Sequence, residues 1–374
     1  MSIIILFCFS FLLVEYVSWH FDGEKTQKNT QVVMCFLLLF IFFGFRDLPI
    51  LNDTAHYYRH VRHLFSPPLF DSTPWYTFDS SSNFEEGFQV FLRIIGLFIS
   101  KEPYSLIIIT SFITTVSLLW FLNKSTSHIA FTVFVLLTST LLFGYYSAIR
   151  QSLAVSISYI FYHCYENKYY KSAIVCGIVA YFFHHSSVML VLPIILYYTP
   201  FTKRNILIIM ITTLAISLGI YKILPLLGYG DSKYLIIGME RVAVPLAQLL
   251  DTLFIFICLL FYYIYRNIHE TSVKENKLFI SFALSSLIVN VWAIPCLALF
   301  RYGMFFSQYV VVLFVNSLYL SEANKQMKVL KHIAIVTLLI RILIVLIYRN
   351  EWFHLIPYNF FDFSLEHQNT QFGY

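Results

Sequence analysis

Gly144-Tyr145-Tyr146-Ser147-Ala148-Ile149-Arg150-Gln151-Ser152 stands between two apolar runs, 129–143 and 153–162. A guanidinium there cannot lie deep in lipid unless it meets protein or water, because Arg at the bilayer centre is costly. Arg150 stays protonated at any reachable pH and offers a planar fork of donors matched to phosphate or carboxylate. A second run, 172–198, is interrupted in the same way by His184-His185-Ser186-Ser187. Apolar runs near ~20 residues, the length that crosses ~30 Å of hydrocarbon, recur along the chain. They fall at 2–19, 32–45, 104–122, 129–146, 149–165, 205–221, 246–265, 278–300, 302–320 and 332–348.

The composition agrees. Charged residues make up 12% and mean hydropathy is +0.72, whereas a soluble domain is about 25% charged. The chain lacks the polar surface that a water-soluble globule of its length needs. The expected fold is an all-α polytopic integral membrane protein, a single transmembrane domain over 1–374 without a separate soluble domain. The N-terminus has no basic n-region and carries Glu15 inside its apolar stretch, so it reads as a retained helix instead of a signal peptide. The six cysteines lie in or beside apolar runs without C-x-x-C spacing, which suits packing better than disulfides or metal. A net charge of +5 spread over short loops is explained by topology, not by nucleic-acid binding.

Lys and Arg in short loops set the orientation. Lys25/Lys28, Lys124, Lys168/Lys171, Lys203/Arg204, Arg266/Lys274/Lys277 and Lys325/Lys328/Lys331 read as cytoplasmic. Alternation then gives about twelve crossings, provided 172–198 makes a double pass and 88–100, which contains Arg93, does not cross. It places 46–87 and 222–245 as external loops and 349–374 as an external tail. Arg46, Asp53, Glu85, Glu86, Arg150, His184 and Arg301 then share the outer face.

Each polar constellation has a functional and a plainer reading. Asp53 and Tyr57, spaced i, i+4, share a helical face; Asp53 is either a general base for a hydroxyl or the N-cap of a helix beginning at Thr54. Arg46 either orients that base or anchors its helix at headgroups. Glu85 and Glu86 either complement a helix dipole or, one of them, take the place of Asp53 as the base. Arg150 and Gln151 either snorkel or bind a diphosphate, offsetting leaving-group charge without a metal. His184 and His185 lack a third ligand nearby, so proton transfer or phosphate binding suits a His there better than metal. The two serines lack the G-x-S-x-G context of an esterase nucleophile. Arg301, between two runs, is an anchor or a further phosphate ligand.

Taken in order, Gly44-Phe45-Arg46 with Asp53 and Tyr57, Glu85-Glu86-Gly87-Phe88, Ile149-Arg150-Gln151-Ser152-Leu153-Ala154, the Lys168–Lys171 loop, 180–187 and Arg301-Tyr302 resemble the EpsG/Wzy family of polysaccharide and O-antigen polymerases. The match runs from about residue 40 to about residue 320, and its F-H-x-S pattern selects His184 over His185. The resemblance implies a GT-C-like or Wzy-like helical fold in the bacterial inner membrane with a periplasmic active face. It implies a polymerase that moves a growing glycan from undecaprenyl diphosphate to the terminal sugar of a new lipid-linked repeat unit. Donor and acceptor are both undecaprenyl-diphosphate-linked oligosaccharides in the lipid bilayer, a chain-length regulator is a further partner, and neither cofactor nor nucleic acid is called for. The implied catalytic residues are Asp53, Arg150 and His184, with Arg46, Tyr57, Glu86, Gln151 and Arg301 binding substrate.

Other functions remain open at this point. A lipid-linked oligosaccharide flippase would place charges in a central cavity and often has pseudo-symmetric halves, whereas these charges collect at one face and no internal repeat is visible. An O-antigen ligase typically has a larger external loop than 222–245, and a membrane acyltransferase would use an external His as base.

Overall fold

The computed structural model describes residues 2–66, 84–200, 202–224, 246–269, 276–296, 299–319 and 325–363. The expected external loop 222–245 lies outside these beyond Leu224, as do the last residues of the expected external tail. All regular elements among the described residues are helical. They are α1 (Ser2–Ser18), α2 (Glu24–Gly44), α3 (Thr54–Leu64), α4 (Glu86–Phe98), α5 (Ser105–Ser125), α6 (Ile129–Thr138), α7 (Leu141–Ser147), α8 (Ile149–Glu166), α9 (Tyr170–Phe183), α10 (Val191–Tyr198), α11 (Lys203–Leu224), α12 (Leu246–His269), α13 (Lys277–Ala293), α14 (Phe300–Gly303), α15 (Ser307–Tyr319) and α16 (Lys325–Tyr348). Among the described residues four helical segments are long and apolar enough to cross a membrane: Glu24–Gly44, Ser105–Ser125, Lys203–Ile220 and Lys328–Tyr348. The bent pair α6 and α7 makes a fifth if counted as one span. This is a helical membrane protein.

The chain packs as two compact units, Met1–His185 with Lys331–Tyr374, and Ser186–Leu330. In the first, side chains tie the helix ends together. The Tyr104 hydroxyl, just before α5, donates to the carbonyl of Arg46 at 2.6 Å and of Gly44 at 3.1 Å. At the other end Lys124 of α5 meets His163 of α8 at 3.2 Å, and Ser127 donates to Glu24 of α2 at 2.8 Å. Lys25, Lys28, Lys124, Lys168 and Lys171 thus gather at one end, with Arg46, Arg150 and His184 at the opposite one.

Glu15 is explained by a helix start. Its carboxylate accepts from the Phe131 backbone N–H at 3.1 Å and from His128 Nδ1 at 2.9 Å, while the amide oxygen of Gln31 takes the Ala130 N–H at 3.0 Å. Two of the donors that α6 leaves unsatisfied at its N-terminus are therefore capped by other helices.

The run 129–146, expected as one span, is broken. Thr140 takes a φ of 68°, a conformation costly for a β-branched residue, and α6 and α7 meet at 82°. Such a break frees backbone carbonyls; that of Ser139 is taken by the Arg341 guanidinium of α16 at 2.9 Å. The run 172–198 is also discontinuous, as its polar centre led one to expect: α9 ends at Phe183 and a 3-10 turn, His185–Leu190, precedes α10. Run 88–100 forms the 13-residue α4, about 20 Å long at 1.5 Å per residue and too short to cross upright.

The second unit is built round a polar seam. Gln248 donates to the Asn290 side-chain oxygen at 3.1 Å, Thr252 to its backbone carbonyl at 3.2 Å, and Asn290 Nδ2 to the Ser286 carbonyl at 2.8 Å. Ser286 and Ser307 hydroxyls lie 3.2 Å apart. Such groups join helices where lipid offers no alternative partner.

Candidate functional site

The site grows from the end of α2. Beyond Gly44 the chain leaves the helix, and Arg46 turns fully inward, 0% exposed. Its Nε donates to Thr54 Oγ1 at 3.1 Å, one terminal nitrogen to the Phe43 carbonyl and to Ser111 Oγ at 3.2 Å, and the other to the Tyr146 carbonyl at 2.9 Å. Burial, the largest influence, lowers the Arg46 pKa, and the nearby Tyr104, Tyr358 and Tyr146 hydroxyls push it back up. The Arg46 fork is spent on the fold: it fastens the start of α3 to α5 and to the end of α7.

The chain's C-terminal part lies over this segment. Arg46 and Phe360 form an antiparallel bridge, with the Asp47 N–H bonded to the Asn359 carbonyl at 3.0 Å and the Phe361 N–H to the Phe45 carbonyl at 2.9 Å. Leu51, whose φ of 61° belongs to the left-handed region, donates its N–H to the Phe353 carbonyl at 2.9 Å. Phe361 stacks on Tyr104 at 3.8 Å, and Tyr358 on Phe42 at 4.1 Å. The expected external tail, for which the sequence suggested no role, is the cover of the Arg46–Asn52 segment.

Helix α3 then presents Tyr57 to Arg150. Arg150 Nε donates to the Tyr57 hydroxyl at 3.2 Å, and one terminal nitrogen pairs with Glu85 Oε2 at 2.5 Å. The guanidinium carbon lies 4.8 Å from the centre of the Phe84 ring, a cation–π distance. Both charged side chains are largely buried, 18% exposed for Arg150 and 9% for Glu85. A buried Arg without a partner is expensive; here it has a carboxylate, a phenol and a ring face. The turn 144–152, expected as an outward loop, is a packed junction: Tyr145, Tyr146, Gln151 and Ser152 are buried. The Tyr146 ring stacks on Phe43 at 3.8 Å, and its hydroxyl lies 2.8 Å from Thr115 Oγ1.

Gly87 explains the next piece of the motif. A Cβ there would stand 2.7 Å from the Phe182 carbonyl oxygen, so only glycine lets the start of α4 reach the end of α9. Phe88 is fully buried beneath the contact, and Phe91 meets Phe183 edge-on at 5.9 Å. Gly87 follows Glu85 by two residues and Phe182 precedes His184 by two, so this contact carries His184 to the end of the unit where Arg150 sits.

Asp53 immediately precedes α3, but its side chain makes no capping hydrogen bond. The plainer reading of Asp53 is right about place and not about the bond. Glu86 is exposed and Gln151 buried. Arg301 lies in α14 of the second unit, between Phe300 and Tyr302, which pack on the buried Leu299 and Cys296. Phe84 and the contact glycine Gly87 carry no sequence signal of a functional role, and for Glu85 such a role stays open in the sequence without being told apart from Glu86. A doubled acid before a helix is legible, but which of the two faces a cation is not. Among the described residues no group of three or more His, Cys, Asp or Glu converges as a metal site would.

No curated protein and no solved structure matches the chain. The model of the EpsG family matches residues 29–360, an extent that takes in α2, the Arg150 junction, the 3-10 turn after His184 and the covering segment up to Phe360. The chain belongs to the EpsG family.

Proposed function

We propose that the protein is a surface-polysaccharide polymerase, of the O-antigen type, working at the outer face of the bacterial inner membrane. The observation that carries the reading is a buried Arg150 oriented by Glu85 and Tyr57, at the same end of the unit as His184. A fixed guanidinium in a low-dielectric site stabilises charge that develops on a leaving group.

In the reaction, an acceptor sugar hydroxyl attacks the anomeric carbon of the donor glycan. Its proton passes to Asp53 as the new C–O bond forms. The bond from that carbon to undecaprenyl diphosphate breaks, and the diphosphate departs with the electron pair. Arg150 holds the diphosphate, with Gln151 as a further ligand, and His184 hydrogen-bonds the leaving phosphate. Tyr57 orients Arg150, Glu86 contacts the glycan, and Arg46 acts from inside by positioning the segment that bears Asp53. A GT-C-like or Wzy-like arrangement with about twelve crossings goes with this reading, as does a chain-length regulator partner. The apolar helices Gln248–Ile264 and Lys277–Ala293, at the lower end of spanning length, support a larger number of crossings.

The test is the glycan ladder of a deletion strain complemented with variants at normal protein level. Arg150→Ala, Arg150→Lys and His184→Ala are expected to leave single repeat units on the acceptor, because Lys keeps the charge but loses the fork. Full-length ladders from Arg150→Ala or His184→Ala would sink the reading. Loss of all repeat units would favour a flippase.

A further inference from the structure

The face of α3 turned away from the core carries its basic residues. His56, Arg59, His60 and His63 are spaced i, i+3, i+4, i+7 and so form one stripe along the helix. His56, Arg59 and His63 are exposed, as is the neighbouring Arg62. The opposite face is committed to the protein core: Val61 is fully buried, with Ala55, Tyr57 and Tyr58 beside it. A helix that inserted into the bilayer would turn that apolar face to lipid. This one turns it inward and shows its cations.

Those cations are at the end of the unit opposite the lysines, where a membrane protein does not usually gather positive charge if that end is external. The stripe also adjoins the site already described. Phe84 stands between them, with the His60 ring 4.2 Å and the His56 ring 6.2 Å from its centre, and with Arg150 at 4.8 Å. The acids at the rim are Asp53 at the head of α3 and Glu102, which with Arg62 flanks Tyr58.

We propose that the exposed face of α3, Arg59 and Arg62 with the imidazoles of His56 and His63, holds the diphosphate of the second lipid-linked substrate. The inference rests on the polymerase reading, which requires two lipid diphosphates at once. Both cannot sit on Arg150: its charge is shared with Glu85, and two diphosphates together would repel strongly in a low-dielectric site. The acceptor's reacting hydroxyl lies at the opposite end of its glycan from its own diphosphate, so the second diphosphate needs an anchor separate from Arg150. Arginine forks and imidazole N–H groups are donors suited to phosphate oxygens.

The experiment is equilibrium binding of farnesyl diphosphate to the full-length protein in nanodiscs of zwitterionic lipid. The wild type is expected to bind two equivalents; R59Q/R62Q is expected to bind one with unchanged thermal melting, and R150Q to bind one with a lowered melting temperature, because it leaves the buried Glu85 without its partner. If R59Q/R62Q keeps both equivalents, or if the wild type binds one equivalent that R150Q abolishes, the inference fails and the polymerase reading stands. If nanodiscs containing phosphatidylglycerol displace the equivalent that R59Q/R62Q loses, the face reads bulk lipid and the inference fails. Absence of any binding to the wild type would count against the polymerase reading itself.

Discussion

Arg150 and Glu85 meet at 2.5 Å across 65 residues of sequence, and neither is more than a fifth exposed. The pair aims the guanidinium: with Nε on Tyr57 and one terminal nitrogen on Glu85, the plane of the fork is set. Glu85→Gln should leave Arg150 in place but poorly oriented. Misplacing a catalytic group by about 1 Å costs roughly a hundredfold in rate, so the ladders should be markedly shortened. Glu85→Asp should recover part of the length. If E85Q ladders match wild type, the pair does not position Arg150.

Gly87→Ala tests the approach of α4 to α9. The added methyl meets a backbone carbonyl at 2.7 Å, which cannot swing aside as a side chain would. Overpacking of this kind costs about 1–3 kcal/mol. A lower melting temperature in detergent is expected, with activity falling alongside because His184 follows the displaced Phe182. Gly23→Ala is a poor control, since its φ is positive; Gly177→Ala, with ordinary contacts at 3.5 Å, should be nearly neutral.

Arg46→Met should be more damaging to stability than to any single binding step. It strands the Tyr146 carbonyl in a buried place and removes the donor from Thr54 and Ser111, and a buried acceptor left unpaired costs about 1–3 kcal/mol. Arg46→Lys should rescue little, because one ammonium cannot reach Thr54, Ser111 and the Phe43 and Tyr146 carbonyls together. Protein level and melting temperature decide this; an Arg46→Met protein that melts like wild type would refute the structural role.

Phe361→Ala probes the covering segment. The ring is buried and stacked on Tyr104 at 3.8 Å, and losing a buried Phe costs about 3–5 kcal/mol. Phe360→Ala, half exposed on the same segment, should cost much less. Limited proteolysis near residues 45–52 would report the difference, and equal sensitivity of the two variants would argue against a cover.

Much of this protein was legible as sequence. Hydrocarbon-length apolar runs permit little but membrane helices, because an unpaired backbone group in lipid costs several kcal/mol. The ordered motifs placed Arg46, Asp53, Glu85, Arg150 and His184 at one end of the first unit, and charge counting found that end. Other features were not legible because they depend on residues far apart in the chain. The break at Thr140 is stabilised by Arg341, some 200 residues later. Arg46 reads as an anchor until Thr54, Ser111 and Tyr146 are seen to consume its donors. The tail looks like an unassigned surface segment until Asn359 and Phe361 pair with Asp47 and Phe45. Local pattern determined which stretches are helical and that Arg46, Arg150 and His184 share one end of the unit. Tertiary packing alone decided which of two adjacent glutamates faces Arg150, since a helix start presents both and only a buried, oppositely charged neighbour chooses between them.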